Sequence, residues 1–361
     1  MRILRVAQNL YPEVPGGGTY HVHAMSRDQA AMGHDVTVLT VSGDETLPRC
    51  EERDGYTVVR RSPTVEVLGN EISAGVARFL RTAGEFDVVH AHSHLYFSTN
   101  LAALKRALGE TPLSITNHGL YSQNAPEWLF DLYLRSVGRW TFDRADVVFC
   151  YTDEDRDRVR EFGVRSRIEV VANGVDTERF TPEGPESDLI DYDGDVVLFV
   201  GRLVEGKRPQ DAVRAVERLS EERDVKLYVV GDGPMRSELE AMVGECVEFL
   251  GQMHFEEMPA VYRAGDALVL SSRAEGLPRT VLEAFSSGVP VVSSHLEHTA
   301  SIVREGGETV EVGDMEGYIG ALKRVLNRTK ELGPNGRQTV VEDFRWQETV
   351  EQTTSVLEAL R

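Results

Sequence analysis

Glu275 and Glu283 are the carboxylates in this chain best placed to act on a ligand. They belong to the stretch Ser271-Ser272-Arg273-Ala274-Glu275-Gly276-Leu277-Pro278-Arg279-Thr280-Val281-Leu282-Glu283-Ala284. The apolar run before it, Ala267-Leu268-Val269-Leu270, reads as a buried strand of a parallel sheet. Pro278 suits the first turn of a helix, where a missing N–H costs nothing. Gly288 and Pro290 stop that helix around a further buried strand, Val289-Pro290-Val291-Val292. Glu275 is thus expected in a loop and Glu283 inside the following helix. Open α/β sheets bind ligands at such loops, and a carboxylate there can accept paired sugar hydroxyls. Each glutamate taken alone fits a solvated surface position equally well.

Three glycine-bearing segments are expected at comparable strand ends. Pro15-Gly16-Gly17-Gly18-Thr19 follows the first strand and precedes a helix, so its backbone can approach a ligand closely. It does not match the G-x-G-x-x-G dinucleotide fingerprint, and a plain flexible loop is the competing reading. Gly201-Arg202-Leu203-Val204-Glu205-Gly206-Lys207-Arg208 carries two cations that could grip a diphosphate, Arg202 as a fork and Lys207 as a point charge. Alone, the pair also reads as solvated surface charge. Val230-Gly231-Asp232-Gly233-Pro234 is a third turn of the same kind.

Among the histidines, His118 in Thr116-Asn117-His118-Gly119 follows a strand, and Gly119 would leave its ring open towards a ligand. His90-Ala91-His92-Ser93-His94 alternates at a strand end, so zinc is conceivable, but no acidic or cysteine partner stands at ligand spacing. His21, His23, His34 and His254 read as ordinary polar or packing residues. Asp191-Tyr192-Asp193 has the D-x-D form of metal-dependent nucleotide-sugar enzymes, but it sits in acidic coil and is set aside. Serine-hydrolase and P-loop signatures are absent from the sequence.

These residues need a frame, and the hydrophobic pattern supplies one. Apolar runs alternate with helical patterns throughout, the mark of an α/β architecture with parallel sheets. Strands are expected near 2–7, 35–41, 56–61, 86–90, 112–117, 146–150 and 168–171, with helices near 19–32, 72–83, 98–108, 126–143 and 153–162. Thr181-Pro182-Glu183-Gly184-Pro185-Glu186-Ser187-Asp188 reads as a linker. Strands resume near 196–201, 225–230, 246–250, 267–271 and 289–293. The expected fold is two Rossmann-like domains facing a cleft, over 1–185 and 190–342. A last helix, 343–361, carries Phe344, Trp346, Val350, Val356 and Leu357, and could pack on either domain.

The 361-residue chain has 41% hydrophobic residues and no uncharged apolar run long enough for a membrane span. Its N-terminus turns polar too early for a signal peptide and reads as a strand. Cys50, Cys150 and Cys246 are isolated, which fits a reducing cytoplasm rather than a disulfide framework. Net charge is −20, and only Lys105, Lys207, Lys226, Lys323 and Lys330 are lysines among 39 basic residues. Such a surface points to a salt-adapted habitat and argues against nucleic-acid binding. The helix at 126–143, with Trp128, Leu129, Phe130, Leu132, Tyr133, Leu134, Val137 and Trp140, reads as core first and as a peripheral membrane contact second.

Together these motifs resemble the family 4 glycosyltransferases of the GT-B fold, along most of the chain and in the family's order. The matching segments are Tyr11-Pro12-Glu13-Val14-Pro15-Gly16-Gly17-Gly18, Gly33-His34-Asp35-Val36-Thr37-Val38, Asp87-Val88-Val89-His90-Ala91-His92, Asn117-His118-Gly119, Asn173-Gly174-Val175-Asp176 and Gly201-Arg202-Leu203 with Lys207. Glu275 and Glu283 match its E-x7-E signature. The resemblance implies sugar transfer from a UDP- or GDP-linked donor with retention of configuration, no metal and no other cofactor. The acceptor would be a glycan, a lipid-linked glycan or a small molecule.

By position, the resemblance gives Arg202 and Lys207 the donor diphosphate, Glu283 the ribose and Glu275 the transferred sugar. Gly16 and Gly17 would lie beside the diphosphate, and His118 near the reacting carbon. Gly276, Leu277 and Pro278 complete the implied donor-binding set, and the last helix would return to the N-terminal domain. The implied setting is cytoplasmic, at the inner membrane face for a lipid-linked acceptor. Ser293-Ser294-His295-Leu296-Glu297-His298-Thr299-Ala300-Ser301 departs from the family, which often carries an Asp and a Gly-Gly pair there. Ala172 stands where Pro is usual. A nucleotide-sugar epimerase, a glycan phosphorylase or a non-catalytic sugar-binding partner are the alternative readings.

Overall fold

The computed structural model describes residues 1–67, 70–84, 86–120 and 127–361. The chain divides into two compact units, Met1–Ala172 with Thr349–Arg361, and Asn173–Glu348.

In the first unit, β1 (Arg2–Val6), β2 (Asp35–Val41), β3 (Cys50–Arg53) and β4 (Tyr56–Arg61) precede a small antiparallel ribbon of β5 (Val65–Val67) and β6 (Asn70–Ile72). Then come β7 (Val88–His92), β8 (Leu113–Thr116), β9 (Val147–Cys150) and β10 (Arg167–Val170). The main sheet has the order β10-β9-β8-β7-β1-β2-β4-β3, parallel except where β3 meets β4. The central strands β1, β2, β7, β8 and β9 are buried almost without break because both sheet faces are covered. Ile3 joins one apolar cluster and its neighbour Leu4 the other, as alternation across a strand requires. Helix α1 (Gly17–Ala31) starts two residues earlier than expected, so Gly17 and Gly18 form its first turn.

The second unit holds β11 (Asp195–Val200), β12 (Val225–Val230), β13 (Val247–Gly251), β14 (Ala267–Leu270), β15 (Val291–Ser294) and β16 (Gly307–Val310). Their order, β13-β12-β11-β14-β15-β16, is the doubly wound arrangement, and each pairing is parallel. Strands β3, β5, β6 and β16 were not foreseen, being short or lacking a sustained apolar run.

Three expectations need correction. The 181–188 stretch lies within the second unit, fastened there by Arg263 Nε to Pro185 O at 2.7 Å and by Ser187 N to Ala260 O at 3.1 Å. The 343–361 helix is not continuous. One helix ends at Asp343 and the next runs Trp346–Glu358, because Arg345 leaves the helix to bridge Val175. Gly174 permits that approach, since a Cβ there would stand 2.6 Å from the Arg345 carbonyl. The last helix enters the first unit at Thr349, where Leu357 joins the Ile3 cluster and Thr354 accepts from Gln29 Nε2 at 2.9 Å.

The 126–143 helix is also broken. It runs Glu127–Tyr133, continues as a π-helical turn over Leu134–Gly138, and ends with Arg139–Phe142. Pro126 and the Leu129 side chain lie outside the described residues. Leu134 is buried, but Trp128 is 70% and Leu132 58% exposed, so the core reading fails on one face.

Candidate active site

In a doubly wound sheet, chain connections leave in opposite directions at the point where strand order reverses, and a crevice opens at the carboxyl ends there. In the second unit that point lies between β11 and β14. The loop after β11 carries Arg202 and Lys207, and the loop after β14 carries Glu275. Lys207 Nζ donates to Glu275 Oε1 at 2.5 Å. The two loops are tied at two more places. Ser271 Oγ donates to the carbonyls of Lys207 and Arg208 at 3.1 and 2.8 Å, and Arg273 N donates to Gly206 O at 2.8 Å. Arg202 is exposed and has no ion pair among the described residues.

The third glycine turn supports this arrangement from behind. Gly231, at φ +130, comes so close to the loop after β11 that a Cβ would stand 2.0 Å from Gly201 O. Leu203 N donates to Asp232 O at 2.9 Å and Met235 N to Leu203 O at 3.1 Å. The turn is therefore packing against the Arg202 loop, main chain to main chain.

Glu283 lies on the helix Arg279–Ser286, and Pro278 is its N-cap rather than its first residue. Gly276, Leu277 and Pro278 are buried. Glu283 is buried as well, accepting from Tyr262 OH at 3.0 Å with Arg279 Nε 3.5 Å from its other oxygen. Burial raises its pKa against the opposing pull of Arg279 and Tyr262. Tyr262 and Arg279 were missed in the sequence. Arg279 falls one turn before Glu283, a spacing that could have been read.

At the end of β15, Ser294 Oγ lies 2.8 Å from Tyr318 OH, and just past it His295 Nδ1 lies 3.0 Å from Thr309 Oγ1. These bonds tie the unusual 293–301 stretch to its own unit. The side chains of Glu297 and His298 lie outside the described residues.

The first unit has its own reversal point, between β1 and β7. Gly16 to Gly18 follow β1, and the histidine run follows β7. His118, after β8, sits beneath the glycine loop, where a Cβ on Gly18 would stand 3.5 Å from its Nδ1. Its Nε2 is 3.0 Å from His92 Nδ1 and its Nδ1 is 2.8 Å from Tyr151 OH. His21, read as ordinary from sequence, has its ring centre 5.4 Å from that of His118. Tyr151 directly follows the strand expected at 146–150, but it was not singled out, because its meeting with His118 shows only in the fold. Glu13 anchors the approach to the glycine loop by ion pairs to Arg53 and Arg60, which bring its pKa to about 2 against the opposing effect of burial.

His90 and His92 share a strand face as expected, with ring centres 4.5 Å apart. His90 Nε2 is 2.8 Å from Thr116 Oγ1 and its Nδ1 is 3.4 Å from Nη2 of Arg5. Arg5 is fully buried and donates to Ser26 Oγ at 2.8 Å and Gln29 Oε1 at 2.6 Å. Burial lowers its pKa to about 9. Burial also lowers His118 to about 4 and His94 to about 3, and Arg5 helps hold His90 and His92 well below their ordinary value. The rings are thus neutral at ordinary pH. Among the described residues no three His, Cys, Asp or Glu side chains form a metal-ligand group.

Comparison with known proteins identifies the family and the fold. Residues 15–179 match the model of Glycosyltransferase Family 4, and residues 194–328 that of Glycosyl transferases group 1. The D-inositol 3-phosphate glycosyltransferase of Geodermatophilus obscurus is 31% identical, over 95% of this chain and 85% of that protein. The glycogen synthase of Mycobacterium tuberculosis is 28% identical, over 99% of this chain and 94% of that protein. Anabaena Alr3699/HepE, solved in complex with UDP-glucose, superposes with a TM-score of 0.83 at 20% identity, covering 99% of this chain and 100% of that one. The chain belongs to the family 4 glycosyltransferases and has the GT-B fold.

Proposed function

We propose that this glycosyltransferase moves a sugar from a UDP- or GDP-linked donor to a glycan, lipid-linked glycan or small acceptor, retaining configuration and using no metal. The observation that carries the reading is Lys207 meeting Glu275 at the reversal point of the second unit, beside the exposed Arg202. Two cations suit a diphosphate and a carboxylate suits sugar hydroxyls. The relatives named above transfer sugars, and the structural neighbour is described with UDP-glucose.

In this mechanism Arg202 and Lys207 stabilise charge on the leaving diphosphate as the bond from the anomeric carbon to phosphate oxygen breaks. The acceptor hydroxyl attacks on the same face and gives its proton to a leaving phosphate oxygen, so no enzyme nucleophile is required. Glu275 accepts hydroxyls of the transferred sugar and Glu283 those of the ribose. Gly16 and Gly17 offer main chain to the diphosphate, and Gly276, Leu277 and Pro278 shape the loop beside it. His118 has both ring nitrogens engaged, so it meets the sugar through its ring edge or main chain.

The chain is read as cytoplasmic, and exposed Trp128 and Leu132 favour contact with the inner membrane face where a lipid-linked acceptor would lie. Sedimentation with anionic and neutral vesicles checks that contact. For the reaction, a donor panel in molar KCl with EDTA, followed by NMR, should show acceptor-dependent nucleoside diphosphate release and a product anomer matching the donor. Donor conversion without acceptor would indicate an epimerase, and dependence on inorganic phosphate a phosphorylase. Loss of turnover in EDTA would overturn metal independence.

A further inference from the structure

Lys207 is not a loose surface cation. The hydrogen bonds from Ser271 to the Lys207 and Arg208 carbonyls, and from Arg273 N to Gly206 O, hold its turn against the loop that carries Glu275. The Glu275 side chain is only 6% exposed and the Lys207 side chain 20%. A carboxylate withdrawn from water needs a compensating partner, and Lys207 is the ion-pair partner it has among the described residues. Arg202, by contrast, is exposed and uncommitted there. One cation of the two is therefore already engaged by the group meant to receive the sugar.

Resting on the nucleotide-sugar reading above, we infer that Lys207 is shared between Glu275 and the donor diphosphate, and that this competition makes the site discriminate a nucleotide sugar from a bare nucleoside diphosphate. A diphosphate that draws the ammonium towards itself divides its single charge and leaves the Glu275 carboxylate less compensated. An intact donor repairs the loss, because its sugar hydroxyls donate to Glu275. A bare nucleoside diphosphate brings no such donors and meets Lys207 still held by Glu275. The same competition acts on the product. Once the sugar has been transferred, Glu275 reclaims Lys207 and weakens the hold on the leaving diphosphate.

The test is calorimetry on the full chain, with UDP and UDP-glucose or with GDP and GDP-mannose, whichever pair the wild type binds. Glu275→Gln keeps the shape of the side chain and removes the charge that competes for Lys207. It should tighten the bare nucleoside diphosphate by about 3- to 10-fold and lower the preference for the intact donor by about tenfold. In a Lys207→Met background the same substitution should no longer tighten the diphosphate. Glu275→Asp, which draws the carboxylate back by one methylene, gives a second route and should shift affinity in the same direction. Thermal unfolding confirms that each variant is folded. If folded Glu275→Gln and Glu275→Asp bind the nucleoside diphosphate no more tightly than wild type does, the competition does not exist. If the wild type binds neither diphosphates nor nucleotide sugars, the donor reading itself falls, and the inference with it.

Discussion

The Tyr151 hydroxyl lies 2.8 Å from Nδ1 of His118, while His92 holds the opposite nitrogen at 3.0 Å. The ring is thus oriented by two partners at once, and a sugar bound as proposed would meet it in a set position. Tyr151→Phe removes one of them. Transfer should slow by about tenfold while nucleoside diphosphate affinity stays within about twofold, since in the proposed mechanism Arg202 and Lys207, not this ring, take the diphosphate charge. Steady-state rates beside calorimetry check this, and equal losses in both would contradict it.

Acid should unfold the protein through its buried histidines. Burial is the largest cause of the lowered values of His90, His92, His94 and His118, with His94 at about 3 and His118 at about 4 against an ordinary 6.5. The unfolded chain therefore binds more protons between those values, so stability is present above pH 6.5 and is lost as pH falls towards the folded values. The unfolding free energy from urea titration should fall by on the order of a few kcal/mol between pH 7 and pH 4.5. A flat profile over that window would show the rings to be solvated.

Gly231→Ala places a Cβ 2.0 Å from Gly201 O at φ +130, and the two loops cannot separate without breaking their mutual hydrogen bonds. Destabilisation of about 3 kcal/mol or more is expected from chemical denaturation. Gly206→Ala, where a Cβ meets nothing within 4 Å, is the control and should stay within about 0.5 kcal/mol of wild type.

Tyr262→Phe removes the hydroxyl that donates to Glu283 at 3.0 Å and leaves that carboxylate with Arg279. The expected cost is about 1–3 kcal/mol, measured by urea unfolding. Unchanged stability would mean that Arg279 or water satisfies the carboxylate fully.

Net charge −20 predicts a melting temperature that rises with KCl as repulsion between carboxylates is screened. Melting curves from 0.1 M to about 3 M KCl check it, and a transition that does not move with salt would remove the basis for a salt-adapted habitat.

The strands and most site residues could be read from local pattern because local chemistry suffices for them. β1, β2, β11 and β14 are short apolar runs bounded by polar or glycine turns, and Glu275, Lys207 and His118 each stand just beyond such a run. The break at Phe344-Arg345 could not be read, since it depends on Val175, which is far away in sequence. The fastening of 181–188 to Ala260 and Arg263 is hidden for the same reason.

By itself, then, the sequence determined the alternating α/β plan, the family motifs and the identity of the charged groups at the strand ends. The tertiary structure alone decided which of those groups meet. Strand order places the loop after β11 beside the loop after β14, so Lys207 engages Glu275 while Arg202 stays exposed. It likewise brings Tyr151 and His92 to opposite sides of His118, and Arg5 next to His90. The physical reason is that composition and periodicity describe each element singly. Ion pairing and hydrogen bonding depend instead on sheet order, which sets the neighbours of every loop.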